Sequence, residues 1–356
     1  MDYVISGIQQ LGVGVANADQ AYIWYNKHFG MDVPIFEERA PAPLMTDYTG
    51  GEVRNRYAIL ALNMQGGGGF EIWQYTCREP QPPANRPQLG DHGIFAGKIK
   101  CRNIKQTYRK LESSGVHMSS PIVHTAGAGD HFFVEDPYGN PFQVVEANNW
   151  FQNRNELTGG IYGALIGVSD IDTSLPLYRD VLGYDQLAYD ATEIVDGWAG
   201  LEGGKQKVRR VILRHQDERT GAFAPLLGRS EIELVQSLDR EGESIYRDRY
   251  WGDLGFIHLC FDVRNMDGLR EACKQSGHPF TVDSNDSFDM GEAAGRFTYV
   301  EDPDGTLIEF VETHKVPIAK KIGWYLNLKN RPPQKPLPRW MLKGLGLNRK
   351  RVTMTS

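Results

Sequence analysis

The chain of 356 residues has few cysteines and no long apolar run. Its four cysteines are scattered and form no CxxC pair, which indicates reduced thiols and argues against a disulfide framework or a zinc knuckle. No apolar stretch approaches the roughly 18 to 20 residues needed to cross a bilayer. The first residues also lack the basic and apolar regions of a signal peptide. We therefore expect a soluble, cytoplasmic protein without a membrane span.

Acidic residues are missing from the C-terminal end. Residues 315–356 contain 11 of the 39 Lys and Arg residues and none of the 45 Asp and Glu residues, so the preceding body carries 28 basic against 45 acidic residues. An acidic body argues against binding to nucleic acid. The basic tail is expected to wrap this body, to contact a partner or neighbouring subunit, or to lie on a membrane surface. Ile318 to Leu328 has the pattern of an amphipathic helix.

Internal repeats organise the rest of the chain. The stretch Val15–Met31 matches Val168–Tyr184, including a Tyr five residues before a Gly. The stretch Cys101–Gly115 matches Val263–Gly277, and each copy is followed by the motif VEDPxG. The chain is therefore a tandem duplication, and each half contains two related modules. The four modules cover approximately residues 6–78, 92–149, 159–240 and 252–314.

The last module shows the predicted unit most clearly. An alternating strand at His258–Val263 leads into an amphipathic helix at about Met266–Gln275, and further strands follow, the last two joined by a turn at Asp302–Gly305. This order is βαβββ. Strands with one helix per module predict an α+β fold in which the strands curl into half-barrel cups and the helices pack outside.

We predict two cup-shaped domains, 1–150 and 159–314, each built from two consecutive modules and followed by the tail. Because side chains alternate across a strand, the face that packs under the helix does not carry His258. By the same alternation, Glu309 on the last strand can share the open face of the sheet with His258. A shared open face is what a metal site needs.

These features together resemble the vicinal oxygen chelate superfamily. They are the tandem βαβββ modules, a first-strand His or Gln before an Asn- or Asp-initiated helix that ends in YxxxxG, and DPxGxxxE on the last strand. The superfamily includes glyoxalase I, methylmalonyl-CoA epimerase, bleomycin-resistance proteins and type I extradiol dioxygenases. The resemblance covers about residues 1–314. It implies a metal held by the first and last strands of two modules that form one cup.

The resemblance assigns four ligand positions to each predicted cup. The N-terminal cup offers one charged ligand, which suggests a metal-free scaffold; its positions are Gln10, Glu71, Ala96 and Gln143. The C-terminal cup offers two carboxylates and an imidazole, with a glycine that leaves a coordination position open; its positions are Gly163, Glu233, His258 and Glu309. We predict that Glu233, His258 and Glu309 bind one divalent ion per chain, either Fe, Mn, Zn, Ni or Co. In the simpler interpretation the carboxylates are solvated and His258 pairs with one of them.

The implied chemistry is that of a small substrate that chelates the ion through two adjacent oxygens. A lyase or isomerase would proceed through a metal-bound enediolate. Glu231 is the predicted proton shuttle, and Tyr299 is a predicted hydrogen-bond donor.

Two other functions stay open at this point. The four-module length suggests a ring-cleaving extradiol-type or other dioxygenase, although those enzymes have a His where this chain has Gly163. The third interpretation is a metal-free ligand-binding or sequestering protein similar to the bleomycin-resistance group. The substrate, the metal, and whether the protein forms a homodimer are not readable from the sequence.

Overall fold

A computed structural model describes residues 3–285, 288–290, 293–319, 323–350 and 352. The first two modules have the predicted order of one helix after the first strand. The elements of the first module are β1 (Val4–Gly14), α1 (Ala18–Phe29), β2 (Val33–Pro41), β3 (Asn55–Leu62) and β4 (Gly69–Tyr75). Those of the second are β5 (Gly93–Cys101), α2 (Ile104–Ser113), β6 (His117–Met118), β7 (Val123–Thr125), β8 (Gly129–Glu135) and β9 (Pro141–Glu146).

The second half repeats this order. The third module contains β10 (Thr158–Gly167), α3 (Ile171–Pro176), β11 (Gln186–Ile194), β12 (Lys207–Arg214), α4 (Ala224–Leu227) and β13 (Glu231–Ser237). The fourth contains β14 (Gly255–Arg264), α5 (Met266–Gln275), β15 (Val282–Asp283), β16 (Phe288–Met290), β17 (Ala293–Glu301) and β18 (Leu307–Ala319). The tail adds β19 (Trp324–Asn327) and α6 (Arg339–Gly344).

A capping side chain starts the first helix of every module. The Asn or Asp oxygen accepts a hydrogen bond from the backbone N–H three residues later, which satisfies one of the free donors at a helix N-terminus. The four capping residues are Asn17, Asn103, Asp170 and Asn265. The Asn or Asp at this position of each repeat is therefore a structural signal.

The strands form two curled mixed sheets, but the modules pair differently from the prediction. The first sheet has the order β15-β17-β18-β14-β1-β4-β3-β2 and so combines the first and fourth modules. The second sheet has the order β11-β12-β13-β10-β5-β9-β8-β6 and combines the second and third modules. The predicted pairing of consecutive modules into one cup is wrong. The reason is that the edges that β1 and β5 leave unpaired within their own half hydrogen-bond to β14 and β10 of the other half, in antiparallel register.

The motif residues connect the two modules within each half. The Tyr25 hydroxyl of α1 donates to Asp136 Oδ2 over 2.5 Å. The equivalent Tyr178 hydroxyl donates to Asp302 Oδ2 over 2.8 Å. Each contact joins the Tyr of YxxxxG to the Asp of DPxG, and all four side chains are buried. These repeated motifs therefore hold consecutive modules side by side, while the sheets run across the halves.

The tail packs on the body. Strand β19 pairs antiparallel with β18, so the helix predicted over Ile318–Leu328 is wrong where the structure describes the chain; residues 320–322 lie outside the described residues. The strand is favoured because β18 continues beyond its pairing with β14, which ends at Val311, and the part from Lys315 onward leaves that edge free. Leu328, Leu337, Leu342 and Leu345 then join an apolar cluster with residues of the first and third modules. Among the described residues, no helix has the length and apolarity required to cross a membrane.

Candidate metal centre

Four side chains converge on the inner face of the first sheet. Strands β1 and β4 are parallel neighbours, as are β14 and β18, and β1 joins β14 in the middle. Glu309 on β18 lies beside Cys260 on β14, and Cys260 lies opposite Gln10 on β1. We call the group formed by Gln10, Glu71, His258 and Glu309 the ligand cluster.

The distances within the ligand cluster are short. His258 Nε2 lies 3.0 Å from Glu309 Oε2 and 3.3 Å from Glu71 Oε2. Gln10 Nε2 lies 3.3 Å from an oxygen of each carboxylate. The donor atoms of Glu71, His258 and Glu309 all lie within 4.8 Å of one another, and these three are the one such group of His, Cys, Asp or Glu in the described part of the chain.

The geometry of the cluster fits an ion better than a set of mutual hydrogen bonds. Two ligand atoms at about 2.1 Å from an ion and at right angles to each other are about 3.0 Å apart, close to the distances found here. His258 Nε2 and Gln10 Oε1 are buried and make no hydrogen bond of acceptable geometry among the described residues, although Nε2 lies within ion-pair distance of both carboxylates. The two ends of an amide are distinguished only by their partners, and a turn of the Gln10 amide directs its oxygen to the same point. The four residues therefore fit a divalent ion.

The cluster is negatively charged and buried. Burial favours the neutral form of His258, but the Glu309 and Glu71 carboxylates outweigh it and raise the pKa of the imidazole. Burial raises the pKa of Glu309, yet the positive charge on His258 lowers it below its usual value. Without an ion, the imidazolium is thus the cation that pairs with both carboxylates, and the cluster keeps one net negative charge. A divalent ion would replace that proton.

Two neighbours fix the position of the imidazole. The Tyr299 hydroxyl lies 3.5 Å from His258 Nδ1, which leaves Nε2 directed to the carboxylates. Burial raises the pKa of Tyr299 well above its usual value, so it remains a phenol. On the other side, a Cβ at Gly12 would lie 2.5 Å from His258 Cε1. The ring therefore occupies space that only glycine at position 12 leaves free.

Two cavities open onto the cluster, and Arg56, Glu71 and Glu309 line both of them. One is an apolar cavity of about 100 Å³ next to the tail. The other has a volume of about 380 Å³ and lies beside Trp251 and Tyr299. A small molecule can thus reach the two carboxylates.

Comparison with known proteins supports the family assignment. Two family models, both described as the Glyoxalase/Bleomycin resistance protein/Dioxygenase superfamily, match residues 7–144 and 164–299. The chain belongs to this superfamily. No curated protein matches the sequence significantly.

Solved structures show the same fold. Glyoxalase I from Zea mays is 14% identical, with a TM-score of 0.51 over 86% of this chain and 92% of that chain. A protein from Bacillus subtilis, provisionally named a dioxygenase, is 15% identical, with a TM-score of 0.54 over 87% of this chain and 86% of that chain. At this level of identity the likeness concerns the fold alone.

The cup formed by the second sheet, which we call the second cup, contains a buried lysine ammonium in place of a ligand cluster. Glu233 and Glu231 lie on β13, in the second sheet, and the Lys98 ammonium donates to both of them, over 2.6 Å to Glu231 Oε1 and 2.5 Å to Glu233 Oε2. Arg210 also donates to Glu233 and Arg214 to Glu231, each over 2.9 Å. The interior beside them is filled by Trp198, which is fully buried.

This arrangement contradicts the predicted grouping of Glu233 with His258 and Glu309. It also removes Glu231 from the reach of a substrate at the ligand cluster, because it is buried among Lys98 and Arg214. Tyr299 does lie beside His258. The resemblance places Gln10 and Glu71 at ligand positions of the predicted metal-free cup, and the strand pairing between the two halves brings them to the ligand cluster instead.

Proposed function

We propose that Gln10, Glu71, His258 and Glu309 bind one divalent metal ion, and that the protein is a lyase or isomerase acting on a small substrate with two adjacent oxygens. The observation that supports this proposal is the convergence of four largely buried polar side chains, two of which have a buried atom without a hydrogen bond of good geometry, His258 Nε2 and Gln10 Oε1. Two carboxylates, one imidazole and one amide suit an octahedral ion with room for the substrate.

The bound ion would polarise the two substrate oxygens and stabilise the negative charge of an enediolate. Proton transfer is then the task of the protein. Glu309 is held by His258, and hydrogen bonds from Cys260 and Tyr299 lower its pKa further. Glu71 and Glu309 both line the two cavities, but Glu71 has fewer such contacts, so Glu71 is the ligand that would leave the ion to take a proton from one substrate carbon and return it to the next. Glu71 thereby takes the role that the sequence suggested for Glu231.

The ligand types favour this reaction class over an oxidative one. Non-haem iron oxygenases typically use two His and one carboxylate. Here one imidazole accompanies two carboxylates, and the amide of Gln10 completes the set. The site is thus more acidic and less rich in imidazole than an oxygenase triad.

Metal content and turnover test the proposal. We expect the chelator-treated protein to take up one Co²⁺ per chain in a calorimetric titration, and the loaded protein to convert members of a panel of 2-hydroxyketones and thiohemiacetals in the absence of O₂. The apo protein serves as the control. Oxygen consumption in step with substrate loss would instead establish a dioxygenase, and tight substrate binding without conversion would leave the sequestering function.

Glycine at position 12 gives an indirect test of the same site. In Gly12→Ala the new methyl group must displace the His258 ring, because the unrelaxed distance is 2.5 Å. We expect the affinity for Co²⁺ to fall roughly 10- to 100-fold, as it does when a group that orients a metal ligand is changed. Gly346→Ala is the control, since its Cβ would have no neighbour within 4 Å. Equal losses in the two variants would contradict the assigned position of His258.

A further inference from the structure

The apolar cavity beside the ligand cluster points to the kind of substrate. Resting on the proposed function, we propose that the substrate carries a short apolar group next to its two adjacent oxygens, and that this group lies in the cavity. We call this cavity the apolar chamber. It shares Gln10, Glu71 and Glu309 with the ligand cluster, so a molecule bound there through two oxygens directs one substituent into the chamber.

Three separate parts of the chain build the walls of the chamber. The apolar lining comes from β2 and β3, from α4, and from the tail together with the end of β18; the residues used here are Leu60, Leu62, Leu226, Leu227, Val316 and Leu345. These six side chains are all buried and belong to one apolar cluster. The cavity is therefore an opening left within a packed apolar region, which favours an apolar occupant over water.

The tail wall is held in place by polar contacts on its outer side. Arg349 forms ion pairs with Asp32 and Glu156, and the Lys350 amide donates to the Asp32 carbonyl over 2.8 Å. Earlier in the tail, the Leu337 amide donates to the carbonyl of Ala222, which lies just before α4. The tail residues lie outside both stretches matched by the superfamily models, so this wall is a feature that the family resemblance does not supply.

Charge and size restrict the occupant. Arg56, at the shared edge of the two cavities, is paired with Glu38 at 2.8 Å. Lys315 is exposed at the rim, with its ammonium 4.1 Å from the ring centre of Tyr325. The chamber measures about 100 Å³, which is smaller than an engineered apolar cavity of about 150 Å³ that binds benzene. A short alkyl group fits, whereas a long chain meets Leu345 and Leu226. The polar remainder of the substrate would lie in the larger cavity.

A series of alkyl hydroxamates tests the inference, because each presents two adjacent oxygens and differs only in chain length. Affinity for the Co²⁺-loaded full chain is measured by calorimetry from acetohydroxamate to decanohydroxamate. We expect the dissociation constant to fall about fourfold per added methylene for the first few carbons, as burial of apolar surface predicts. For longer chains the dissociation constant should no longer fall. Leu62→Ala should move this limit to longer chains. Ile35→Trp, which fills the chamber from β2, should abolish the increase in affinity with chain length.

Leu44→Trp in the larger cavity is the matched control, because Leu44 lines that cavity and not the chamber. It should leave the dependence on chain length unchanged, and thermal unfolding checks that every variant is folded. If the protein binds Co²⁺ and acetohydroxamate but longer chains bring no gain, or if the gain survives in Ile35→Trp and disappears in Leu44→Trp, the inference is overturned and the proposed function stands. If no Co²⁺ binds, both are overturned.

Discussion

His258→Ala is expected to lower the affinity for Co²⁺ by more than roughly 100-fold, and Glu71→Gln and Glu309→Gln are expected to do the same. A change in a group that merely orients a ligand costs about 10- to 100-fold, so removal of a ligand should cost more. The three side chains also supply the two negative charges and the imidazole nitrogen that meet within 4.8 Å. Titration of each chelator-treated variant with Co²⁺ against a competing chelator gives the affinity.

Glu233→Gln is the comparison that decides between the two possible ligand sets. The sequence alone groups Glu233 with His258, whereas the structure pairs Glu233 with Lys98 and Arg210 in the second cup. We therefore expect Glu233→Gln to bind Co²⁺ like the unchanged protein, provided that circular dichroism shows it folded. Loss of Co²⁺ in this folded variant, with binding retained in Glu71→Gln, would refute the strand pairing on which the site depends.

The sequence was sufficient for the modules and for the motif residues that hold them together. Helix-start Asn and Asp residues, the YxxxxG motif and the DPxG turn all have local physical roles, as caps, buried hydroxyls and tight turns. Local roles leave local patterns, and these can be read from a single chain. The resemblance placed Gln10 and His258 at equivalent first-strand positions, and these two residues lie on the paired strands β1 and β14 of one sheet.

The pairing of modules could not be predicted in this way. The four first strands β1, β5, β10 and β14 carry similar alternating patterns, so each edge is compatible with any of the others. The choice depends on contacts between residues far apart in the chain, such as Gln10 opposite Cys260. A lysine at position 98 was the missed signal. Its position two residues after Ala96 points it to the inside of a cup, where a buried ammonium requires carboxylates.

Lys98→Met is expected to destabilise the protein by roughly 3 kcal/mol, the lower end of the usual cost of breaking a buried ion pair. Lys98, Glu231 and Glu233 are all almost fully buried, and the ammonium is the cation shared by the two carboxylates. Arg210 and Arg214 remain as partners in the variant, which is why we expect the lower value. Unfolding in urea, followed by fluorescence, measures the difference. In Arg229→Met, where the lost pair with Glu218 is exposed, the cost should stay below about 1 kcal/mol.

The loss of unfolding free energy caused by Lys98→Met should also depend on pH, and Glu233 determines the direction of this dependence. Burial raises the pKa of this carboxyl, but Lys98 and Arg210 outweigh burial and lower it from 4.5 to about 2. A carboxyl with a lowered pKa stabilises the folded state above pH 4.5, and this contribution is lost as the pH falls towards 2. Without Lys98 the pKa is lowered less, so the stability gap between the two proteins should narrow as the pH falls from 4.5 to 2. A gap that stays constant or widens over this range would mean that Lys98 does not balance Glu233. The second cup would then need another explanation for its buried carboxylates, whereas a narrowing gap identifies Lys98 as the cation built into the cup that lacks the ligand cluster.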